Sequence, residues 1–142
     1  LFINKTSGMF VTCVLGKYDL ISDDIIWVNG GQQPAIIRDQ QGEFQSFDSD
    51  APPMGVIFQK DKSIYKINKQ VLNGNKFYVF TDGLSERLDE EGKEIGIDGS
   101  IKIIEDNYTK DSKKHLSDIT KKIIKISGPG KLSDDLTLIS MG

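Results

Sequence analysis

Three aspartates at the ends of two β-prone segments are the residues of this sequence best placed to do chemistry. Asp82 lies just after the segment 77–80, and Asp134 and Asp135 directly precede the segment 136–140. If these segments pair as antiparallel strands, one ends beside the start of the other, and the carboxylates meet at one rim of the sheet. Mg²⁺ and Mn²⁺ take oxygen ligands, and a Mg²⁺ site often uses one or two carboxylates together with water. The pattern therefore predicts a divalent-cation site.

The same aspartates also have a simpler interpretation as loop residues. Asp-Gly after a strand is a common turn, and aspartate before a strand is a common loop residue. In either case Gly83 would allow the backbone to turn away tightly after Asp82. The two interpretations differ in whether Asp82 and Asp134 come together, which depends on the fold.

Composition and length favour one soluble globular domain. The 142 residues suit a single domain, with 37 % hydrophobic and 27 % charged residues. A formal net charge of −3 argues against a nucleic-acid partner, which would favour a basic face. One cysteine permits no intramolecular disulfide and fits a reducing cytosol, and one histidine excludes a His-rich metal site. No apolar run approaches the ~20 residues of a membrane helix, so no membrane contact is predicted.

The order of predicted elements is several strands, two helices and one last strand, which favours an antiparallel sheet with helices added to it. Strands are predicted over 9–17, 25–29, 35–38, 44–47, 56–58, 64–67, 77–80 and 136–140. Helices are predicted over 97–108 and 113–127. The second helix has an apolar stripe at spacings of three and four, an N-cap at Asp111 or Ser112, and a stop at residues 128–130.

Five segments in this order resemble the metal-dependent serine/threonine protein phosphatases of the type 2C-like class. The resemblance is to the bacterial branch of stage II sporulation protein E and the sigma-factor regulators. The segments are MFVTCVLGKYDL, WVNGGQQPAII, PPMGV, TDGLSE and DDLTLI. The match spans residues 8–142, and the ordered combination is more specific than any single motif.

The resemblance implies an α+β fold in which two stacked antiparallel β-sheets are flanked by α-helices, an αββα sandwich. It implies a two-metal site for Mn²⁺ or Mg²⁺ at one end of the sandwich, with Asp82 and Asp134 as direct ligands. Asp135, Glu86 and Gly83 match the pattern as neighbours of those ligands. The implied reaction is hydrolysis of phosphoserine or phosphothreonine by metal-activated water, without a protein nucleophile.

Two departures from the family pattern bear on activity. The family carries an upstream half with further metal-binding aspartates, so residues 1–142 are interpreted as the C-terminal two-thirds of a single phosphatase domain, incomplete at the N-terminal side. With two ligand carboxylates remaining, we expect weak Mg²⁺ binding and impaired activity. Gln32 stands where the family usually has histidine, and glutamine does not titrate.

The resemblance also suggests partners and a location. The expected substrate is a phosphorylated regulatory protein such as an anti-sigma-factor antagonist, and an upstream sensor or regulatory domain is expected in the full-length chain. The expected location is the cytosol, either free or as the cytosolic part of a membrane-anchored sensor. An exposed sheet edge predicts dimers or swapping. The alternative function is a non-catalytic module that keeps the fold and docks a partner.

The remaining reactive or bulky side chains have structural interpretations. His115 is predicted at the surface, Cys13 as a buried small hydrophobic residue, and Trp27 in the core. The lysines of the second helix form a solvated face. Arg87 is a weaker candidate for contacting a substrate phosphate, because only its place in the sequence puts it near the site.

Overall fold

The computed structural model describes residues 9–56, 64–127 and 134–142. Within them the strands are β1 Cys13–Asp19, β2 Asp24–Gly30, β3 Ala35–Arg38, β4 Phe44–Phe47, β5 Asn68–Val71, β6 Lys76–Phe80 and β7 Leu138–Met141. The helices are α1 Asp82–Ser85, α2 Gly96–Asp106 and α3 Ser112–Ser127. The chain divides into two compact units: unit one is residues 1–79 with 141–142, and unit two is residues 80–140.

The strands form two antiparallel sheets. One has the strand order β1-β2-β5 and the other β4-β3-β6-β7. β2 pairs antiparallel with both β1 and β5, and β3 pairs antiparallel with both β4 and β6. The predicted α+β class with two antiparallel sheets is confirmed.

The predicted strand boundaries were right for β3 and β4 and wrong elsewhere. The sheet pairing of β1 begins at Cys13 and not at Met9, because Val11 instead exchanges two backbone hydrogen bonds with Met54, at 2.9 and 2.8 Å. The predicted strand 64–67 is absent, since β5 begins at Asn68 and Ile67 is largely exposed. Of the predicted strand 56–58, Val56 lies in a turn and the other residues lie outside the described ranges.

Unit one has its core between the two sheets. Trp27 on β2 is buried, and its ring lies edge-on to Phe47 of β4 at 5.3 Å and to Phe77 of β6 at 4.9 Å. The core position predicted for Trp27 is thus confirmed. Cys13 was predicted to be buried, but it is half-buried, because it lies at the start of β1, where its Sγ is 3.4 Å from the Met54 sulfur.

The connection from β1 to β2 is organised by aspartate side chains. Asp19 Oδ1 accepts hydrogen bonds from the backbone N–H groups of Ile21 at 2.9 Å and Ser22 at 3.2 Å. These bonds favour the carboxylate and lower the pKa of Asp19. The Tyr18 hydroxyl donates to Asp23, which raises the pKa of Tyr18 because the bond stabilises the protonated phenol.

Unit two contains the three helices. Asp111 caps α3, since its carboxylate accepts a hydrogen bond from the N–H of Lys114 at 3.0 Å. Of the predicted apolar stripe, Ile119 and Ile123 are fully buried. The predicted helix stop at residues 128–130 lies outside the described residues.

The predicted surface position of His115 is wrong. Only 2 % of this residue is exposed. Its Nδ1 lies 2.9 Å from the carbonyl oxygen of Asn107, and its ring packs edge-on against Tyr108 at 5.4 Å. The lysines that flank it in sequence suggested a solvated helix start, but in the first turn of α3 this side chain faces the end of α2.

Candidate metal centre

Thr81 joins the end of β6 to the chain that leads into β7. Its N–H donates to the carbonyl oxygen of Thr137 at 3.1 Å, and its hydroxyl oxygen accepts from the N–H of Thr137 at 2.9 Å. The same hydroxyl donates to the carbonyl oxygen of Asp135 at 3.1 Å. Residue 81 therefore lies beside residues 135–137, as expected for the end of one strand next to the start of its antiparallel neighbour.

Gly83 makes the second contact between these segments. A Cβ atom at Gly83 would lie 2.4 Å from the carbonyl oxygen of Asp135 and 3.4 Å from the Cα of Leu136. Its φ is not positive, because residue 83 lies within helix α1. The predicted reason for this glycine, a tight turn, was wrong: the position requires glycine because two backbones approach closely.

Asp82 lies between these two contacts, at the first position of α1. Two backbone hydrogen bonds stabilise the short helix. The N–H of Leu84 donates to the carbonyl oxygen of Thr81 at 3.1 Å, and the N–H of Glu86 donates to the carbonyl oxygen of Asp82 at 2.8 Å. Leu84 is fully buried and anchors it. The fold thus brings the segment that carries Asp82 against the segment that carries Asp134 and Asp135, within unit two.

The carboxylates of this region are available for ligands. Asp82 is half-buried, whereas Asp134, Asp135 and Glu86 are exposed. One Asp134 oxygen accepts a hydrogen bond from the N–H of Asp135 at 2.7 Å. In the described part of unit two, Lys121 pairs with Asp118, and none of these four carboxylates forms an ion pair. Carboxylate oxygens are the donors that Mg²⁺ and Mn²⁺ prefer.

The donor number limits what such a site can hold. Within residues 9–56, 64–127 and 134–142, no three His, Cys, Asp or Glu side chains are grouped closely enough to hold a metal ion. Two aspartates with water fit a single, weakly bound hard cation, and they do not fit a two-metal clamp made by these residues alone. A shared cation between Asp82 and Asp134 remains a prediction.

Gln32 belongs to a turn in unit one that is stabilised by a buried asparagine. Its N–H donates to the Asn29 side chain at 2.9 Å, and its own side-chain oxygen accepts from the N–H of Gln33 at 2.9 Å. The Asn29 amide group donates in turn to the carbonyl oxygen of Gln33 at 3.0 Å. In this structure Gln32 therefore stabilises its own loop.

Sequence reasoning missed two residues of unit two. Thr81 was not singled out, although threonine is a common N-cap residue between a strand and a helix, and its hydroxyl often forms a hydrogen bond with a nearby backbone N–H or carbonyl group. Arg87 was given little weight, yet only 4 % of it is exposed. Arginine is almost never fully buried unless it is paired, and the residues around Arg87 in the sequence do not indicate that it is buried.

Solved structures with the same fold are phosphatase domains. The PP2C domain of SiaA from Pseudomonas aeruginosa superposes with a TM-score of 0.75 at 17 % identity, covering 91 % of this chain and 50 % of that one. The RsbU and RsbW domains of a Mycobacterium tuberculosis protein give 0.67 at 21 % identity, covering 91 % and 35 %. The phosphatase domain of SpoIIE from Bacillus subtilis, presoaked with manganese, gives 0.66 at 15 % identity, covering 92 % and 55 %. The fold is therefore that of the PP2C-type phosphatases.

The whole chain also matches a family model. Residues 1–142 match the family of stage II sporulation protein E (SpoIIE), and the chain belongs to this family. The resemblance inferred from the five sequence segments is confirmed. No curated protein matches the chain. The chain spans between a third and just over half of the solved chains described above.

Proposed function

We propose that this chain is part of a metal-dependent phosphatase domain that hydrolyses phosphoserine or phosphothreonine on a regulatory protein. Membership of the SpoIIE family and the PP2C-type fold support the reaction class. The observation that supports the proposal is the contact of Thr81 and Gly83, on either side of Asp82, with the backbone of residues 135–137. Residues 1–142 are proposed to belong to one such domain, since the family match extends over all of them.

Asp82 and Asp134 are the proposed ligands of a Mg²⁺ or Mn²⁺ ion. Such an ion supplies an activated water molecule and neutralises charge on the phosphoryl oxygens. Thr81 and Gly83 position Asp82 by fixing the backbone on either side of it. Asp135 and Glu86, which lie next to these ligands in the sequence or one short helix away, are proposed to favour cation binding by their negative charge. No side-chain nucleophile is needed, and the free thiol of Cys13 and the buried ring of His115 are not assigned a catalytic role.

The proposed substrate is a phosphorylated regulator of a sigma factor, such as an anti-sigma-factor antagonist. The family of the chain and the similar structure that holds RsbU and RsbW domains in one protein support a partner of this kind. A sensor or regulatory domain in the full-length protein and a cytosolic site of action are parts of the same proposal. Among the described helices, none combines the length and the hydrophobicity of a membrane span.

Metal removal tests the proposed reaction directly. We expect the full-length protein to release phosphate from a phosphoserine protein with Mn²⁺ present, and we expect chelation to lower that rate by about tenfold or more, because the ion supplies the attacking water. The measurement is phosphate release over time at matched ionic strength, with Mn²⁺ added back as the control. A rate that chelation leaves unchanged would contradict metal-dependent hydrolysis.

A non-catalytic docking module is the second candidate. The observation that favours it is that no group of three metal-binding side chains occurs among the described residues. The same assay separates the two functions, because a docking module would bind the phosphoprotein with Mn²⁺ present but release no phosphate from it.

A further inference from the structure

Arg87 is a buried cation whose binding edge has no partner in the described structure. It follows the C-cap of α1, Glu86, and is 4 % exposed. Among the described residues, its Nε and Nη2 atoms are buried and make no hydrogen bond. The backbone is held in place, because the carbonyl oxygen of Arg87 accepts a hydrogen bond from the N–H of Ile95 at 2.7 Å.

The two unpartnered nitrogens lie on the same edge of the guanidinium group. The N–H of Nε and one N–H of Nη2 point in the same direction, as two parallel donors. This fork matches two oxygens of a carboxylate or phosphate. A guanidinium also cannot lose its proton to escape burial, as a lysine can. A buried arginine edge of this kind is therefore suited to bind an anion.

The described part of the chain offers no carboxylate for this edge. The nearest acid after Arg87 is Asp89, but its Oδ1 accepts hydrogen bonds from the N–H groups of Glu91 and Lys93, both at 2.9 Å. Glu86, on the other side, is exposed. Arg87 forms no ion pair with any carboxylate of the described residues. In the sequence of the remaining segments there is one acidic side chain, Asp61.

We propose that the Nε–Nη2 edge of Arg87 binds a phosphate oxyanion, either free phosphate or the phosphoryl group of phosphoserine. Phosphate is favoured over carboxylate because its charge of about −1.5 to −2 compensates a buried cation more fully. Along the backbone, Arg87 is separated from Asp82 by the four-residue helix α1, which spans about 6 Å, and by Glu86. The identity of the anion rests on the proposed phosphatase function, in which a phosphoryl group is the reacting group of the substrate and phosphate is the product.

The chain has only two arginines, Arg38 and Arg87, which makes a direct measurement possible. In a nitrogen-15 NMR spectrum each gives one Nε–H signal, and Arg87→Lys and Arg38→Lys identify them by removing one signal each. We expect inorganic phosphate, without metal, to shift the Arg87 signal saturably and to leave the Arg38 signal in place. Arg38 is the control because its guanidinium is already engaged: its Nη1 donates to the Asp39 carbonyl oxygen at 3.0 Å, and its central carbon lies 6.0 Å from the centre of the Phe44 ring. Unlike Arg87, it does not have both Nε and Nη2 among the buried nitrogens without a hydrogen bond in the described residues.

The lysine variant tests the forked geometry. Arg87→Lys keeps the positive charge and loses the two parallel donors, so phosphate binding, followed through the backbone amide signals of both proteins, should weaken about tenfold or more. Arg38→Lys should bind phosphate as the unchanged protein does. If Arg87→Lys fails to fold, as judged by its amide spectrum, the titration of the unchanged protein decides alone.

Separate titrations distinguish the two sources of phosphate. A shift with free phosphate alone assigns a product site, and a shift with a phosphoserine peptide assigns a substrate site; both support the proposal. No shift with either would overturn it. An equal shift with acetate would also overturn it, because the edge would then be a carboxylate receptor. Since the readout is binding without metal, absence of hydrolysis would refute the proposed function and leave this inference standing.

Discussion

Asp82→Asn is expected to lower Mn²⁺-dependent phosphate release by about 100-fold or more. Asparagine keeps the size and one oxygen of aspartate but removes the negative charge that binds a hard cation. Changes in the groups that merely support a metal ligand typically cost 10–100-fold, so loss of a ligand should cost at least the upper end of that range. Helix α1 should be retained, because in the described residues it is stabilised by backbone hydrogen bonds and not by the Asp82 carboxylate.

Asp134→Asn should have the same effect, and the double variant should lose little more. Two ligands of one cation act as a unit, so removing either disables the site and their effects do not add. The control is Asp106→Asn, which changes an exposed acid at the end of α2 and should leave turnover unchanged. Unchanged turnover in either Asp82→Asn or Asp134→Asn would exclude a shared cation.

Gly83→Ala is expected to destabilise the protein by about 2–3 kcal/mol. The added methyl group would lie 2.4 Å from the carbonyl oxygen of Asp135, an atom that also accepts the Thr81 hydroxyl. Both partners in this contact are backbone, so relief requires the two segments to separate. The separation should also raise the Mn²⁺ concentration needed for half-maximal activity, because it moves Asp82 away from Asp134.

Urea unfolding measures the loss of stability, and Gly30→Ala is the matched control. A Cβ atom at Gly30 would have its nearest neighbours at 3.7 Å, which is ordinary contact, and its φ is not positive. We therefore expect Gly30→Ala to change the free energy of unfolding by less than about 0.5 kcal/mol. Equal stabilities of Gly83→Ala and Gly30→Ala would show that the close contact at Asp135 does not hold the site together.

The sequence predicted the strands well where local pattern and pairing agree. β3 and β4 are joined by a short turn, at which the N–H of Gly42 donates to Asp39, and both matched to the residue. The boundaries of β5 were predicted wrongly. Ile67 is a β-prone residue, but it is 71 % exposed and precedes the residues that pair with β2. Such boundaries depend on pairing with strands that are distant in the sequence, and β-propensity carries no information about those partners.

The candidate site was predictable as a pattern of residue types, but its supporting contacts were not. Acids at the end of one strand and the start of another indicate a common rim, and that inference led to Asp82 and Asp134. The close approach of Gly83 to Asp135 depends on backbone packing that no local rule encodes. Burial of Arg87 and His115 likewise follows from tertiary packing, which overrides the polarity of a side chain.

Paramagnetic broadening by Mn²⁺ is the most direct test of a shared cation. On titration of Mn²⁺ into isotopically labelled protein, the signals of Asp82 and Asp134 should broaden together at the same metal concentration. In Asp134→Asn the broadening at Asp82 should shift to a Mn²⁺ concentration about tenfold higher or more. Broadening at only one of the two aspartates, or an unchanged response of Asp82 in that variant, would contradict a cation held between them.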